Sequence, residues 1–223
     1  MEKSMRKLFV ILVFSLLTLC AHAQEDSFCM WSNVTFDKSI GKWSVGLLTE
    51  YRHKFHEGES KTDQYFVRPR VTYSALKWLK VGYQFDLATT TSGFNMRFLP
   101  EVTISKKVGD FTFAFRQRVQ TTWKVEQGSN STVLRSRAKV DYHIPKTPVS
   151  VHFAIEPYWA DFKQDGFSWF QKNRWYAGFD IKIIDGLTLR PEYLCMSYHN
   201  HKGLYSRRTY DDHIFYMTFA IKL

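Results

Sequence analysis

A chain of 223 residues with 31 Lys and Arg against 21 Asp and Glu carries a formal charge of +10. Such a balance suits nucleic acid or acidic lipid. The cations, however, are spread along the whole chain, and an export signal at its start argues against nucleic acid. After that signal no run of 18 apolar residues follows, which excludes a spanning helix.

Residues 1–23 have the form of a secretory signal. Lys3, Arg6 and Lys7 precede an apolar stretch from Leu8 to Cys20, and Ala21-His22-Ala23 is an A-x-A cleavage site. Lipidation at Cys20 is disfavoured by Leu19, where a small side chain is usual. Loss of this segment removes three cations and Glu2, leaving +8. The roughly 200 remaining residues suit a single domain. The expected division is a signal peptide at 1–23, an N-terminal segment at 24–41 and a barrel at 42–223.

Within 24–41, Phe28, Met30, Val34 and Phe36 alternate with Cys29, Trp31, Asn33 and Thr35, the period of a strand. Three placements are open for it: paired with the sheet, inside the lumen, or part of a twelve-strand barrel. From Trp43 the alternation is continuous. Trp43, Val45, Leu47, Tyr51 and Phe55 form one face; Ser44, Gly46, Glu50, Arg52 and Lys54 form the other. The pattern predicts strands at 42–55, 62–75, 78–91, 95–107, 110–125, 132–144, 149–163, 168–184, 187–200 and 209–223. Short connections at 76–77, 107–109, 145–148 and 185–186 alternate with longer polar ones at 56–61, 126–131, 164–167 and 201–208. Ser92-Gly93 is short where a long one is due. An all-β, up-and-down antiparallel transmembrane barrel of about ten strands (ten to twelve) is expected, closing with even parity.

Such a zipper serves a soluble lipid-binding barrel with its apolar face inward or a membrane barrel with that face outward. Three features select the membrane type. The apolar face is rich in aromatic residues (Phe111, Phe113, Phe115, Trp159, Trp175, Phe179), suited to interfacial girdles. Its polar face is dominated by Arg: Arg52, Arg68, Arg70, Arg97, Arg116, Arg118, Arg135, Arg137, Arg174 and Arg190. Lys80, Lys124, Lys139, Lys172 and Lys182 join them, against Glu50, Asp86, Glu101, Asp141, Glu156, Asp180 and Glu192. Arg suits multidentate pairing with carboxylates in a confined space. Lastly, Phe215, Met217, Phe219, Ile221 and Leu223 alternate to an apolar end. That resembles the C-terminal signal read by the barrel-assembly machinery, with Leu in place of the commoner Phe.

Pro69, Pro100, Pro157 and Pro191 fall on the apolar face beside charged residues and read as local bends or bulges. Cys195 falls on the apolar face and Cys29 on the polar one, so both read as packing thiols rather than a disulfide.

The ordered motifs Glu50-Tyr51-Arg52, Arg68-Pro69-Arg70 with Tyr73, Gly82-Tyr83, Arg116-Gln117-Arg118, Arg135-Ser136-Arg137, Gln171-Lys172-Asn173-Arg174 leading to Gly178, and His213 span nearly the whole mature chain. Their order and spacing resemble the domain of unknown function 2490 family, outer-membrane β-barrels of Gram-negative bacteria. The resemblance implies a barrel and an outer-membrane address with lipid around it, and no activity. In the strand at 95–107 a Glu-x-Arg pair is expected, and Leu99-Pro100-Glu101 stands instead.

Lipid-modifying catalysis needs a hydroxyl beside an oriented base. Ser150, His152 and Glu156 share the polar face of one strand and are the best such triplet, although polar barrel interiors contain such triplets by chance. His199, His201, Asp211, Asp212 and His213 are of metal-ligating types, but read as a solvated loop. No phosphate cradle or Cys-x-x-Cys pair is present, so no cofactor and no metal are expected. Porin-like or structural, not enzymatic, is the reading that results: a narrow, anion-leaning interior lined by the charges named above. A lipid-modifying enzyme and a soluble lipid carrier are the alternatives.

Overall fold

The computed structural model describes residues 27–56, 59–91, 93–159, 172–202 and 205–223. The signal segment and the 164–167 connection lie outside the described residues. The described residues form eleven strands: β1 Ser27–Ile40, β2 Trp43–His56, β3 Glu59–Leu76, β4 Leu79–Thr90, β5 Gly93–Val108, β6 Phe111–Lys124, β7 Ser129–His143, β8 Val149–Trp159, β9 Lys172–Ile184, β10 Leu187–Lys202 and β11 Tyr205–Lys222. No helix long and apolar enough to cross a membrane is found among the described residues.

The strands form one closed barrel in chain order, every neighbouring pair antiparallel except the closing one. Eleven lies within the expected ten to twelve, but even parity is overturned. The segment left open joins the wall as β1, which pairs antiparallel with β2 and parallel with β11. The wall therefore includes residues ahead of the boundary at 42. An odd count obliges the first and last strands to run the same way, so the seam is parallel.

Strand ends differ from expectation at the long-connection mouth. The ladders continue to His56↔Glu59 and Lys202↔Tyr205, so residues read as loops at 56–61 and 201–208 are largely strand. Backbone pairing does not require apolar side chains, and polar residues continue a ladder beyond the apolar band. Tight turns at the opposite mouth use glycine where φ is positive, at Gly41 (+60°) and Gly186 (+83°).

The prolines do not bulge the wall. At each of Pro69, Pro100, Pro157 and Pro191 one neighbouring ladder lacks two successive pairs, yet the register is the same on both sides of the gap. A missing N–H removes a bond without adding a residue. Register shifts lie elsewhere, at Arg52/His53, Ser74/Leu76, Leu187/Thr188 and Tyr198/His199.

Apolar side chains face out. Trp43, Val45, Leu47, Tyr51 and Phe55 on β2 are all exposed, whereas Leu48 and Glu50 between them are buried. Aromatic pairs mark both margins of this surface: Trp43–Tyr73 (centroids 4.7 Å) and Phe111–Tyr142 (4.8 Å) by the tight turns, Phe28–Phe55 (5.9 Å) by the opposite mouth. From Trp43 to Tyr51 the strand rises roughly 27 Å, which is roughly 20 Å of height at the usual barrel tilt.

Candidate functional site

Alternation places the thirteen charged residues Glu50, Arg52, Arg68, Arg70, Arg97, Arg116, Arg118, Arg135, Arg137, Glu156, Arg174, Arg190 and Glu192 around one interior chamber of about 560 Å³. Towards the tight turns it continues into a wider vestibule of about 1190 Å³, reached by Lys80 and Lys182. Lys124 is exposed at the end of β6. Lys139 and Lys172 line the chamber, while Asp86, wholly buried, lies behind Arg68.

Carboxylates are the nodes of the interior. Glu156 on β8 is fully buried and accepts from Arg116 (2.7 Å), Arg135 (2.9 Å) and the Tyr176 hydroxyl (2.8 Å). Glu101 takes Arg118 and the Gln84 amide (3.0 Å), with Arg116 at 3.8 Å. The Leu99-Pro100-Glu101 strand thus still joins the charge network; Leu99 is buried inward beside it. Asp86 holds Arg68 by two donors, with Arg97 at 3.8 Å. Arg190 pairs with Asp180, and Arg137 lies 3.9 Å from Glu192.

Several bonds skip a strand, and glycine makes the room. Asp37, Gly46 and Arg70 lie in one row across β1, β2 and β3. Asp37 and Arg70 pair over the glycine, and a Cβ there would collide with both. In the same way His152, Gly178 and Glu192 form a row across β8, β9 and β10. The His152 Nε2–Glu192 Oε1 bond of 2.8 Å spans it. These inward glycines are on the polar face of the sequence zipper, and they are the signal that next-but-one strands touch.

Inward aromatics are what a hydropathy reading misses. Trp31, Phe66, Tyr158, Tyr176 and Tyr216 occupy positions on the charged face. Arg52 lies 3.6 Å from the Trp31 ring centroid, and Arg68 4.8 Å from that of Phe66. Arg137 lies 4.2 Å from Tyr176, and Arg135 4.5 Å from Tyr158. A guanidinium plane stacks on a ring face while its edge donates to a carboxylate. Trp31 and Tyr176 belong with Leu194, Met196 and Ile214 to an apolar cluster inside the wall towards the long-connection mouth.

The catalytic triplet does not assemble. Ser150 Oγ lies 3.2 Å from His143 Nδ1, His152 bonds Glu192, and Glu156 is taken by arginines and Tyr176. Asp141, His152 and Asp180 do bring ligand-type atoms within 4.8 Å of one another. Lys139 (2.6 Å) and Arg190 already hold the two carboxylates. Of the loop residues, Asp212 faces inward to Lys54 (3.4 Å) and His213 bonds Tyr193 on the other side of the wall. The His199 and His201 side chains lie outside the described residues. Cys29 points in and Cys195 out, so the wall separates the two thiols. At the turn, the Lys182 ammonium (2.5 Å) holds the exposed Asp185 carboxyl below its ordinary range.

The model of the family described as "Protein of unknown function (DUF2490)" matches residues 28–207, and the chain belongs to that family. Among solved structures, the NanC porin, determined in a rhombohedral crystal form, is similar at a TM-score of 0.45 and 13% identity, with 87% of this chain and 99% of that chain covered. Among curated proteins nothing matches the sequence.

Proposed function

We propose that the protein is an integral outer-membrane barrel of a Gram-negative bacterium whose interior is a narrow, anion-leaning passage. Residues 1–23 would direct export and be cleaved, and β11 would present the C-terminal strand to the barrel-assembly machinery. Surrounding lipid would cover the outward band, whose height and aromatic margins match a membrane barrel. The observation that carries the passage is the imbalance of the chamber wall. Among the described residues twelve Lys and Arg line it against five Asp and Glu, and the excess remains at twelve to eight when Asp86, Asp141 and Asp180, which pair with some of these cations, are added. Excess cations in a confined space of low dielectric attract anions and repel cations.

The test has two parts. Membranes washed with carbonate should retain the protein in the outer-membrane fraction, and unboiled gels should show a heat-modifiable band. Recovery in the soluble periplasm would end the proposal. In planar bilayers, purified protein should give small, anion-selective conductance. Cation selectivity, or a large non-selective current, contradicts the charge argument.

A structural barrel without conductance is the second reading. It is favoured by the inward apolar cluster around Trp31 and Leu194, and by ion pairs such as Arg116–Glu156 that bridge non-adjacent strands. Silence in the bilayer assay, with membrane retention intact, selects it.

A further inference from the structure

Ten of the chamber's twelve cations lie beside a carboxylate, the most distant at 3.9 Å (Arg137–Glu192). Lys172 and Arg174 form no ion pair within 4.0 Å among the described residues, although Arg174 faces Glu156 across the β8/β9 ladder. They stand two apart on the inward face of β9, so their like charges share one short stretch of wall. Arg174 Nε donates to the Met196 thioether sulfur at 3.3 Å, a weak acceptor. Both cations are pinned to the same ring: Tyr158 has Lys172 Nζ at 4.6 Å and Arg174 at 5.0 Å from its centroid. Arg174 also lies 5.3 Å from the Trp31 ring centroid.

Tyr158 supplies a separate observation. Its side chain is buried and lines the chamber, yet among the described residues its hydroxyl has no hydrogen-bond partner. An unmatched buried hydroxyl costs free energy, as do two neighbouring cations of which only Arg174 faces a carboxylate, Glu156, already bonded by Arg116 and Arg135. One group relieves all three: an anion with several acceptor oxygens. Chloride offers a single point charge, whereas a carboxylate or phosphate matches the fork of a guanidinium and accepts from a phenol as well.

We propose that Lys172, Arg174 and the Tyr158 hydroxyl form a binding subsite for the oxyanion group, carboxylate or phosphate, of a small solute. The subsite rests on the reading of the interior as an anion passage and names the class of solute it selects. Gln64 extends the same preference. Its Oε1 accepts from both Arg52 (3.2 Å) and Arg97 (3.3 Å), so a neutral amide oxygen sits between two guanidiniums.

Binding can be measured without conduction. Titration calorimetry on the whole refolded barrel in detergent micelles, at fixed chloride, uses inorganic phosphate and benzoate as probes. Saturable heat from either is expected. Phosphate alone identifies a phosphate-bearing solute, and benzoate alone a carboxylate. Lys172→Gln with Arg174→Gln should weaken binding about tenfold or more, the factor of a lost charge-assisted hydrogen bond. Tyr158→Phe removes one oxygen and should weaken it severalfold, which keeps the test open if the double variant does not refold. Lys107→Gln, at the turn-side end of β5, should bind as the wild type does. Absence of saturable heat with both probes, or unchanged affinity in the subsite variants, overturns the subsite even where anion-selective conductance is seen. Binding without conductance keeps the subsite and removes the passage.

Discussion

Glu156→Gln tests what the interior charges contribute to the wall. Glu156 is fully buried on β8, with Arg116 of β6 and Arg135 of β7 at 2.7 and 2.9 Å. The amide keeps the shape and removes the charge. Arg135 would keep Gln120 at 2.8 Å, and Arg116 would keep Glu101 only at 3.8 Å. Removing one partner of a buried ion pair costs about 3–5 kcal/mol because the other is left uncompensated. Two guanidiniums depend on Glu156, but Arg116 is partly exposed, at 20%, and water recovers part of its loss. A single penalty of that size is therefore expected rather than two. With a slope of about 2 kcal/mol per molar urea, the midpoint falls by roughly 2 M. The assay is urea unfolding in lipid vesicles, read by gel mobility of unboiled samples and by tryptophan fluorescence. Asp185→Asn, at an exposed turn, should leave the midpoint where it is. An unchanged midpoint for Glu156→Gln would refute the reasoning: the arginines would then be neutralised by water or ions, and the carboxylate would not tie β6, β7 and β8 together.

Exchanging Arg116 and Arg118 for Glu should lower anion preference, seen as a shifted reversal potential under a salt gradient; an unmoved potential would place the current path away from these side chains. Gly178→Ala brings a Cβ to 2.6 Å from the Pro191 carbonyl oxygen and 2.7 Å from Glu192 Cγ. Overpacking of this kind costs about 1–3 kcal/mol, so the folded band should melt at lower temperature; wild-type melting would show that β9 and β10 separate freely. Replacing Ser150 or His152 with Ala should leave lipid A and phospholipid profiles unchanged in cells carrying the protein, and loss of a modified lipid in either variant would revive the enzyme reading.

The closed all-β wall is legible because the zipper has the period of a strand and persists from Trp43 to Leu223. The same alternation groups the arginines on one face, and that face encloses the chamber. Three things were not legible, each for a physical reason. Inward aromatics such as Phe66 and Tyr158 share a face with arginine because guanidinium stacks on rings, a preference that hydropathy does not encode. Next, the Ser150, His152 and Glu156 triplet looked close because its members lie on one strand. Residues two apart on a strand are roughly 7 Å apart, whereas facing residues on neighbouring strands are roughly 5 Å apart. The facing residue His143 is therefore nearer to Ser150 than His152 is, and His143 holds its hydroxyl. Finally, strand ends at 56–61 and 201–208 were hidden because polar composition marks the edge of the apolar band, not the end of the ladder.

The odd strand number, which the alternation does not reveal, explains a group of residues that no strand pattern singles out. Parallel pairs are slightly weaker per residue than antiparallel ones, and the parallel β1/β11 pair is the seam on which closure depends. Asn33 on β1 donates to the Tyr216 hydroxyl on β11. Tyr216 donates to Glu50 on β2 at 2.6 Å, and Glu50 accepts from Arg52 at 2.6 Å. Arg52 returns to β1 by stacking on Trp31, which meets the Tyr216 ring edge-on at 5.7 Å. The chain of contacts therefore starts and ends on β1, crosses the seam in both directions, and is inside the barrel, where water competes least. In an antiparallel barrel with even parity these residues would be ordinary lumen side chains. At a parallel seam they supply the side-chain bonds that supplement its backbone ladder.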